Sequence, residues 1–331
     1  MIRYSYLLLA SLLFLLFSCE ERDKNGRLLD NATSGQIHIY VDEAVKPLIQ
    51  QEVDVFQHQY KKAHIEPHYM PGEDAIQRLF NDSTRIVVAA RELTPQEEAY
   101  FKSKKIHIRS TKIAYDAVSL IVNKSNPDSN LTLAQLSDIL HGKIGMWHQL
   151  NSKPASSPPR QGVASSSDSI HVVFDNAHSS SLLYLRDYFK LSSFPSNFYA
   201  LKSDSDVIAY VEKNKQALGV IGVSWISNHK DSGVIDFLRG IKVAGISPPD
   251  TAKAHPEAQI DLMPFYQPYQ YYVALRYYPL IRPVYVLSRE GRAGLGNGFA
   301  AFVAGSTGQL IAQMAGVLPS QVQVHIKVST K

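Results

Sequence analysis

A strand-like run, Ile170 to Asp175 (IHVVFD), passes through Asn176-Ala177-His178 into Ser179, Ser180 and Ser181, and a helical pattern (LLYLRDYF) follows. Three hydroxyls at a helix start come together with free backbone N–H groups and the positive end of the helix dipole. That combination holds a tetrahedral oxyanion without a full counter-charge. Plain N-capping by serine is the competing account. Arg91 stands where the strand RIVVAA meets a helix opened by Thr94. A guanidinium there can grip an oxyanion with two parallel hydrogen bonds, or be an ordinary surface arginine. Asp42 and Glu43 follow the first strand and Glu73 follows the second, at matching strand-to-helix positions. Singly, each serves as a cap or dipole partner. In an anion site a carboxylate, Asp175 included, accepts a proton from an oxyanion hydroxyl, which a fully ionised anion lacks.

Strands and helices must alternate to bring these positions together. GQIHIYV alternates apolar and polar residues and reads as a strand, and VKPLIQQEVDVFQHQY carries Val45, Leu48, Ile49, Val53 and Phe56 at helical spacing. AHIEPHYM predicts a second strand, GEDAIQRLFND a short helix and RIVVAA a buried strand. Thr94-Pro95-Gln96-Glu97 has the form of a capping box with Pro at the first helical position. IHIRSTKIAYDAVSLIVNK continues as strands, LTLAQLSDILHGKI as a helix from near Thr132, and residues 151–169 as an exposed Ser/Pro-rich loop. DVIAYVEKNKQ predicts a helix, ALGVIGVSWIS and VYVLSR strands, and GFAAFVAGSTGQLIAQMAG one final helix. The alternation argues for α/β lobes with mostly parallel sheets, whose ligands gather outside the carboxyl ends of the strands.

The single cysteine, Cys19, ends an apolar run in Leu16-Phe17-Ser18-Cys19 behind Arg3. A charged start, a short apolar stretch and a small residue before the cut describe an export signal, too short to span a bilayer. The tetrapeptide resembles the bacterial lipobox, which implies cleavage before Cys19 and a lipid on its thiol. Residues 1–18 are then a signal peptide and 19–34 a polar tether, placing the protein in the cell envelope, anchored through lipid alone. Composition is ordinary for a globular protein, at 45% apolar and 19% charged residues. A formal charge of +4 without a Lys/Arg block argues against nucleic-acid binding. Hydrolase signals are poor: Gly222-Val223-Ser224 lacks the closing glycine of a nucleophile elbow, and Ser227-Asn228-His229-Lys230 matches S-x-x-K with no companion motif. Gly294, Gly296 and Gly298 do not complete G-x-G-x-x-G, since Phe299 follows. His64 and His68 are four apart, but Pro67 argues against one helix carrying both, so no metal or other cofactor is expected. The tyrosines of residues 262–278 read as packing.

In order, GQIHIYVDEAVKPL, VVAARELT, KIAYDAVSLIVNKSNP, FDNAHSSS, GVIGVSWIS, YPLIRPVYVLSR and GQLIAQMAGVLP resemble the periplasmic phosphate-binding proteins of ABC transporters, in a branch found among Bacteroidetes lipoproteins. The resemblance runs from about Gly35 to Pro319. It implies a two-lobed type II periplasmic-binding fold, with lobe 1 from 35–115 plus 272–331 and lobe 2 from 116–271. It further implies capture of phosphate or a similar oxyanion by a monomer and delivery to an ABC permease, without catalysis. Carried over, Arg91 falls in the ligand loop of the first lobe and Ser179, Ser180 and Ser181 in that of the second; Asp42, Glu73 and Asp175 are further ligand candidates from their own positions. A non-transport sensor or surface lipoprotein on the same fold, and a phosphoester hydrolase, are the alternatives. The chain departs from the family pattern at Asp175, where relatives carry an arginine four residues before the loop. It departs again at Ala44, in place of a hydroxyl, and at Gly72-Glu73-Asp74, in place of a Gly/Ser-rich helix start. Losing an arginine and gaining acids points to a different oxyanion or weaker binding.

Overall fold

A computed structural model of the protein describes residues 30–151, 168–228, 232–252 and 262–321. The expected export signal, Cys19, most of the tether, most of the Ser/Pro-rich loop and the His229-Lys230 end of the S-x-x-K match lie outside the described residues.

The first half is built from β1 (Gly35–Asp42), α1 (Lys46–Gln59), β2 (Ala63–Met70), α2 (Gly72–Gln77), β3 (Ile86–Ala89) and α3 (Pro95–Ser103). β1 lies between β2 and β3 and is parallel to both. The odd-numbered residues Ile37, Ile39 and Val41 are buried, as the alternation predicts. α1 packs on that face, where Phe56 meets Phe299 and Phe302 edge-on at 5.6 and 5.1 Å. Thr94 and Glu97 form the predicted capping box at the start of α3.

β4 (Arg109–Asn123) is a single strand of 15 residues where the sequence suggested several. Residues 109–117 pair antiparallel with β11 (Ile281–Ser288), and residues 118–122 pair with β8 (Ala217–Gly222). One strand therefore serves both halves. The second half adds β5 (Asn130–Leu131), α4 (Leu133–Leu140), β6 (His171–Phe174), α5 (Ser180–Phe189), β7 (Phe198–Ala200) and α6 (Asp204–Lys213). It continues with α7 (Ser232–Gly240), β9 (Ile241–Val243), β10 (Gly245–Ile246) and α8 (Gln270–Ala274). The sheet order is β2-β1-β3-β11-β4-β8-β6-β7, with β6 parallel to β7 and β8. After β11 the chain closes on the first half with α9 (Leu295–Ala304), α10 (Ser306–Met314) and β12 (Leu318–Pro319).

Three further expectations are corrected by the structure. The last helix is two helices, broken where Gly305 turns extended (φ −81°, ψ 177°). The strand around residue 220 ends at Gly222, and Val223–Trp225 forms a tight 3-10 turn. The last tether residues join the body, since Asp30 accepts from Arg85 and Arg292 and from the Leu295 amide. Tyr266, Tyr277 and Tyr278 are core residues, as the packing reading required, whereas Tyr269 and Tyr271 are exposed.

Candidate functional site

The strand-to-helix loops of both halves meet face to face. The Ser224 hydroxyl donates to the Ala44 carbonyl (2.9 Å), and the Trp225 indole N–H to the Glu43 carbonyl (3.1 Å). On the other flank, the Glu73 amide donates to the His178 carbonyl (3.4 Å), and His178 Nδ1 lies 2.8 Å from Asp74. Two glycines permit this approach. A Cβ on Gly72 would stand 2.6 Å from Ser180 Cβ and 2.7 Å from Asp42 Oδ2, and one on Gly222 would stand 2.2 Å from the Ala44 oxygen.

Asp42 is buried at this junction. Its Oδ1 accepts from the Ala44 amide (3.1 Å), making it the cap the sequence suggested, and its Oδ2 accepts from the Ala90 amide (3.3 Å). Ser179 is the N-cap of α5 and accepts from the Leu182 amide. For this residue the capping account holds. Ser180 and Ser181 do more. Their hydroxyls accept from Nη1 and Nη2 of one arginine, each at 3.0 Å.

That arginine is Arg282, not Arg91. Arg282 lies on β11 directly opposite Asp116 on β4, and its side chain is 2% exposed. Nε donates to Asp116 Oδ2 at 2.8 Å, and Nη2 lies 2.7 Å from the same oxygen. The other carboxylate oxygen accepts from the Val223 amide at 3.1 Å. Burial raises the Asp116 carboxyl above its ordinary range, and the Arg282 charge offsets part of that rise. The donors from Arg282 and the Val223 amide favour its ionised form. Two strands, a helix start and a 3-10 turn thus converge on one ion pair.

Arg91 is engaged elsewhere. Its Nε and Nη2 donate to Glu73 (2.7 and 2.8 Å), and Nη1 and Nη2 donate to Glu97 (2.9 and 3.0 Å). The remaining Nη1 proton goes to the Glu92 carbonyl (2.8 Å). A guanidinium has five N–H donors, and here protein oxygens take every one. The expected meeting of Arg91 with the serines does not occur because Glu73 and Glu97 claim it first.

Around Arg282 the balance is acidic. Asp175 is 2% exposed and its Oδ1 has no hydrogen-bond partner. Burial drives its carboxyl up to about 6; the Ser179 hydroxyl opposes the rise and the Asp42 charge adds to it. Asp204 is fully buried at the start of α6, both its oxygens lack partners, and burial followed by the charge of Asp175 holds it well above the carboxylate range. Glu43 is also raised, by burial first, against the pull of Lys46. Carboxyls that cannot all ionise side by side in a buried pocket keep protons instead. Such groups donate hydrogen bonds as well as accept them.

Arg282, Asp116 and Asp204 escaped the sequence reading. A charge inside an apolar strand is the available signal: Asp116 in KIAYDAVSL and Arg282 in LIRPVYVL each need a buried partner. Asp204 gave none, since an acid in the first turn of a helix is ordinary. A separate cavity of about 550 Å³ lies beside β9, lined by Val223, Ile226, Val243, Gln267, Tyr269 and Tyr271, and is largely apolar.

A profile of the PBP_like_2 family, a PBP superfamily domain, matches residues 29–307. The phosphate-binding protein PstS of Staphylococcus epidermidis is 26% identical over 191 residues, which cover 56% of this chain and 54% of that protein. The chain therefore spans about half the length of that relative. PstS of Staphylococcus saprophyticus is 24% identical over 263 residues, 78% of this chain and 72% of that one. Among solved structures, a putative phosphate ABC transporter substrate-binding protein with bound phosphate from Clostridium perfringens superimposes with a TM-score of 0.65. It is 20% identical, over 87% of this chain and 100% of the other. An ABC-type phosphate transport receptor from Vibrio cholerae gives 0.57 at 20% identity, over 86% and 99% of the two chains. These likenesses establish the two-lobed type II periplasmic-binding fold, and with the family profile spanning most of its length the chain belongs to the PBP superfamily.

Proposed function

We propose that the protein is an extracytoplasmic substrate-binding lipoprotein that captures phosphate or a closely related oxyanion and hands it to an ABC permease. The observation that carries this reading is the Arg282–Ser180–Ser181 constellation. It sits at the start of α5, outside the carboxyl ends of strands from both halves, where the dipole and the first N–H groups favour an anion. Arg282 takes over the part of the arginine that the family pattern places at residue 175. Its hydroxyl partners can turn to an oxyanion while Asp116 keeps the guanidinium in place. The PstS relatives are phosphate-binding proteins, which supports phosphate as the ligand.

The carboxyls define the form of the anion. Asp42, Asp116, Asp175 and Asp204 all interact electrostatically with one guanidinium, so a fully ionised oxyanion is repelled by those of them that are charged. An oxyanion that carries hydroxyls, such as hydrogen phosphate, can donate to the ionised carboxyls and accept from the protonated ones. Sulfate cannot donate. Capture involves no covalent step, and the residues named act by hydrogen bonding alone. Cys19 supplies the lipid anchor on this reading, in keeping with the described residues, where no helix is long and apolar enough to cross a membrane.

The test is calorimetric titration of the purified protein with phosphate, sulfate, molybdate and phosphonates at about pH 5 and about pH 8. Phosphate binding that strengthens at the lower pH, with sulfate excluded, supports the reading. Absence of heat with every oxyanion at both values sinks it, and favours the non-transport lipoprotein suggested by the acidic surplus. A turnover assay on phosphate esters should show no hydrolysis.

A further inference from the structure

Pro67 rules out a helix through His64 and His68, but in the structure that stretch is a strand, and a strand has period two. His64, Glu66 and His68 of β2 therefore share one face of the sheet. β1 runs parallel beside β2 with His38 opposite Glu66 and Tyr40 opposite His68. The result is a convergence of three ligating side chains. His38 Nδ1 lies 2.9 Å from His68 Nε2. The Glu66 carboxylate lies 3.4 Å from the first nitrogen through Oε2 and 3.7 Å from the second through Oε1.

We propose that His38, Glu66 and His68 form a binding site for a divalent ion of the zinc class. Zinc holds imidazole nitrogen and carboxylate oxygen at about 2.0–2.2 Å, which places tetrahedral ligand atoms about 3.3 Å apart. The observed spacings of 2.9, 3.4 and 3.7 Å bracket that value. Two imidazole nitrogens this close are joined either by an N–H of one ring donated to the other or by a metal that both ligate. Nitrogen donors with one carboxylate suit zinc, copper or nickel better than magnesium or calcium. The His68 ring stacks on Tyr40 (5.3 Å between centroids), and the Arg78 guanidinium covers the other ring at 5.3 Å, so the orientation of His68 is held by packing. All three ligands are at least a third exposed, which leaves the fourth position to water or an incoming donor. The site lies on the open face of the edge strand, on the side of the first half away from α1, and makes no use of the oxyanion residues.

The experiment uses untagged protein and zinc ion alone, followed by calorimetry, with cobalt substituted as a visible-absorption probe. One zinc per chain and a four-coordinate cobalt spectrum are expected. His38→Gln and His68→Gln should each weaken zinc binding at least about tenfold, the scale seen when even an outer partner of a ligand is lost. His64→Gln should leave it within a factor of two. Thermal melting of each variant without metal should match the parent, because the positions are exposed. The proposal is overturned by zinc affinity that His38→Gln and His68→Gln leave unchanged, or by the absence of stoichiometric binding in the parent.

Discussion

Two arginines end at the junction of the halves, and they differ in what holds them. Arg91 gives its five donors to Glu73, Glu97 and a carbonyl, all within the first half and partly open to solvent. Arg282 is buried, pairs with one carboxylate, and spends its outer donors on two serine hydroxyls from the other half. Both guanidiniums are paired with carboxylate, but the outer nitrogens of Arg282 face hydroxyls, which can turn and donate to an anion, whereas those of Arg91 face carboxylates, which repel one. Only the second arrangement has something to offer an incoming anion.

The comparison breaks most visibly at Arg282. Arg282→Met strands Asp116 as a buried charge, so a stability loss of about 3–5 kcal/mol is expected in urea unfolding. Oxyanion binding should vanish with it. Adding Asp116→Leu should recover much of the stability and none of the binding. Full binding in either variant would return the role to Arg91.

Next in size is the response to pH. Asp175 sits near 6 in the folded protein against 3.8 ordinarily, so between these values the folded state holds a proton that the unfolded chain has released. Its stabilising contribution is complete below the lower value and is lost as pH rises through about 6. Asp175→Asn should flatten that fall, by on the order of 2 kcal/mol between about pH 4 and about pH 7. A profile unchanged by the substitution would remove Asp175 from the acidic surplus.

Ser180→Ala and Ser181→Ala sharpen the contrast further. Each should weaken phosphate binding by about 1 kcal/mol and leave helix content intact. Ser179→Ala should instead lower stability by about 1 kcal/mol, as a lost cap does, with binding little altered. Smallest of all, Arg91→Ala should cost about 1 kcal/mol or less of stability, the scale of a partly exposed ion pair. Its phosphate affinity should stay within a factor of two, and a larger loss in titration would place Arg91 back in the site.

The fold was legible because local signals agreed. Alternation in GQIHIYV, the Thr94 capping box and the buried run at 86–89 each gave their element. The serine loop was legible too, since its chemistry lies within a few consecutive residues. Its partner was not. Arg282 meets Asp116 only through the antiparallel register of β11 on β4, across more than half the chain, and no spacing in the sequence encodes that register. Arg91 misled for the converse reason. It stands at the right loop, but its donors were already promised to Glu73 and Glu97, one of them the very residue that forms the capping box.

Gly72 and Gly222 give the junction its clearance, which is less than the thickness of a methyl group. An alanine at Gly222 would act as a shim, because the nearest atoms its Cβ would meet belong to Ala44 of the opposing surface, whereas one at Gly72 would also press on Asp42 of its own half. Gly222→Ala is thus a device for holding the jaws ajar. The Trp225 indole, which touches the far surface through the Glu43 carbonyl, would report by its emission whether they still close.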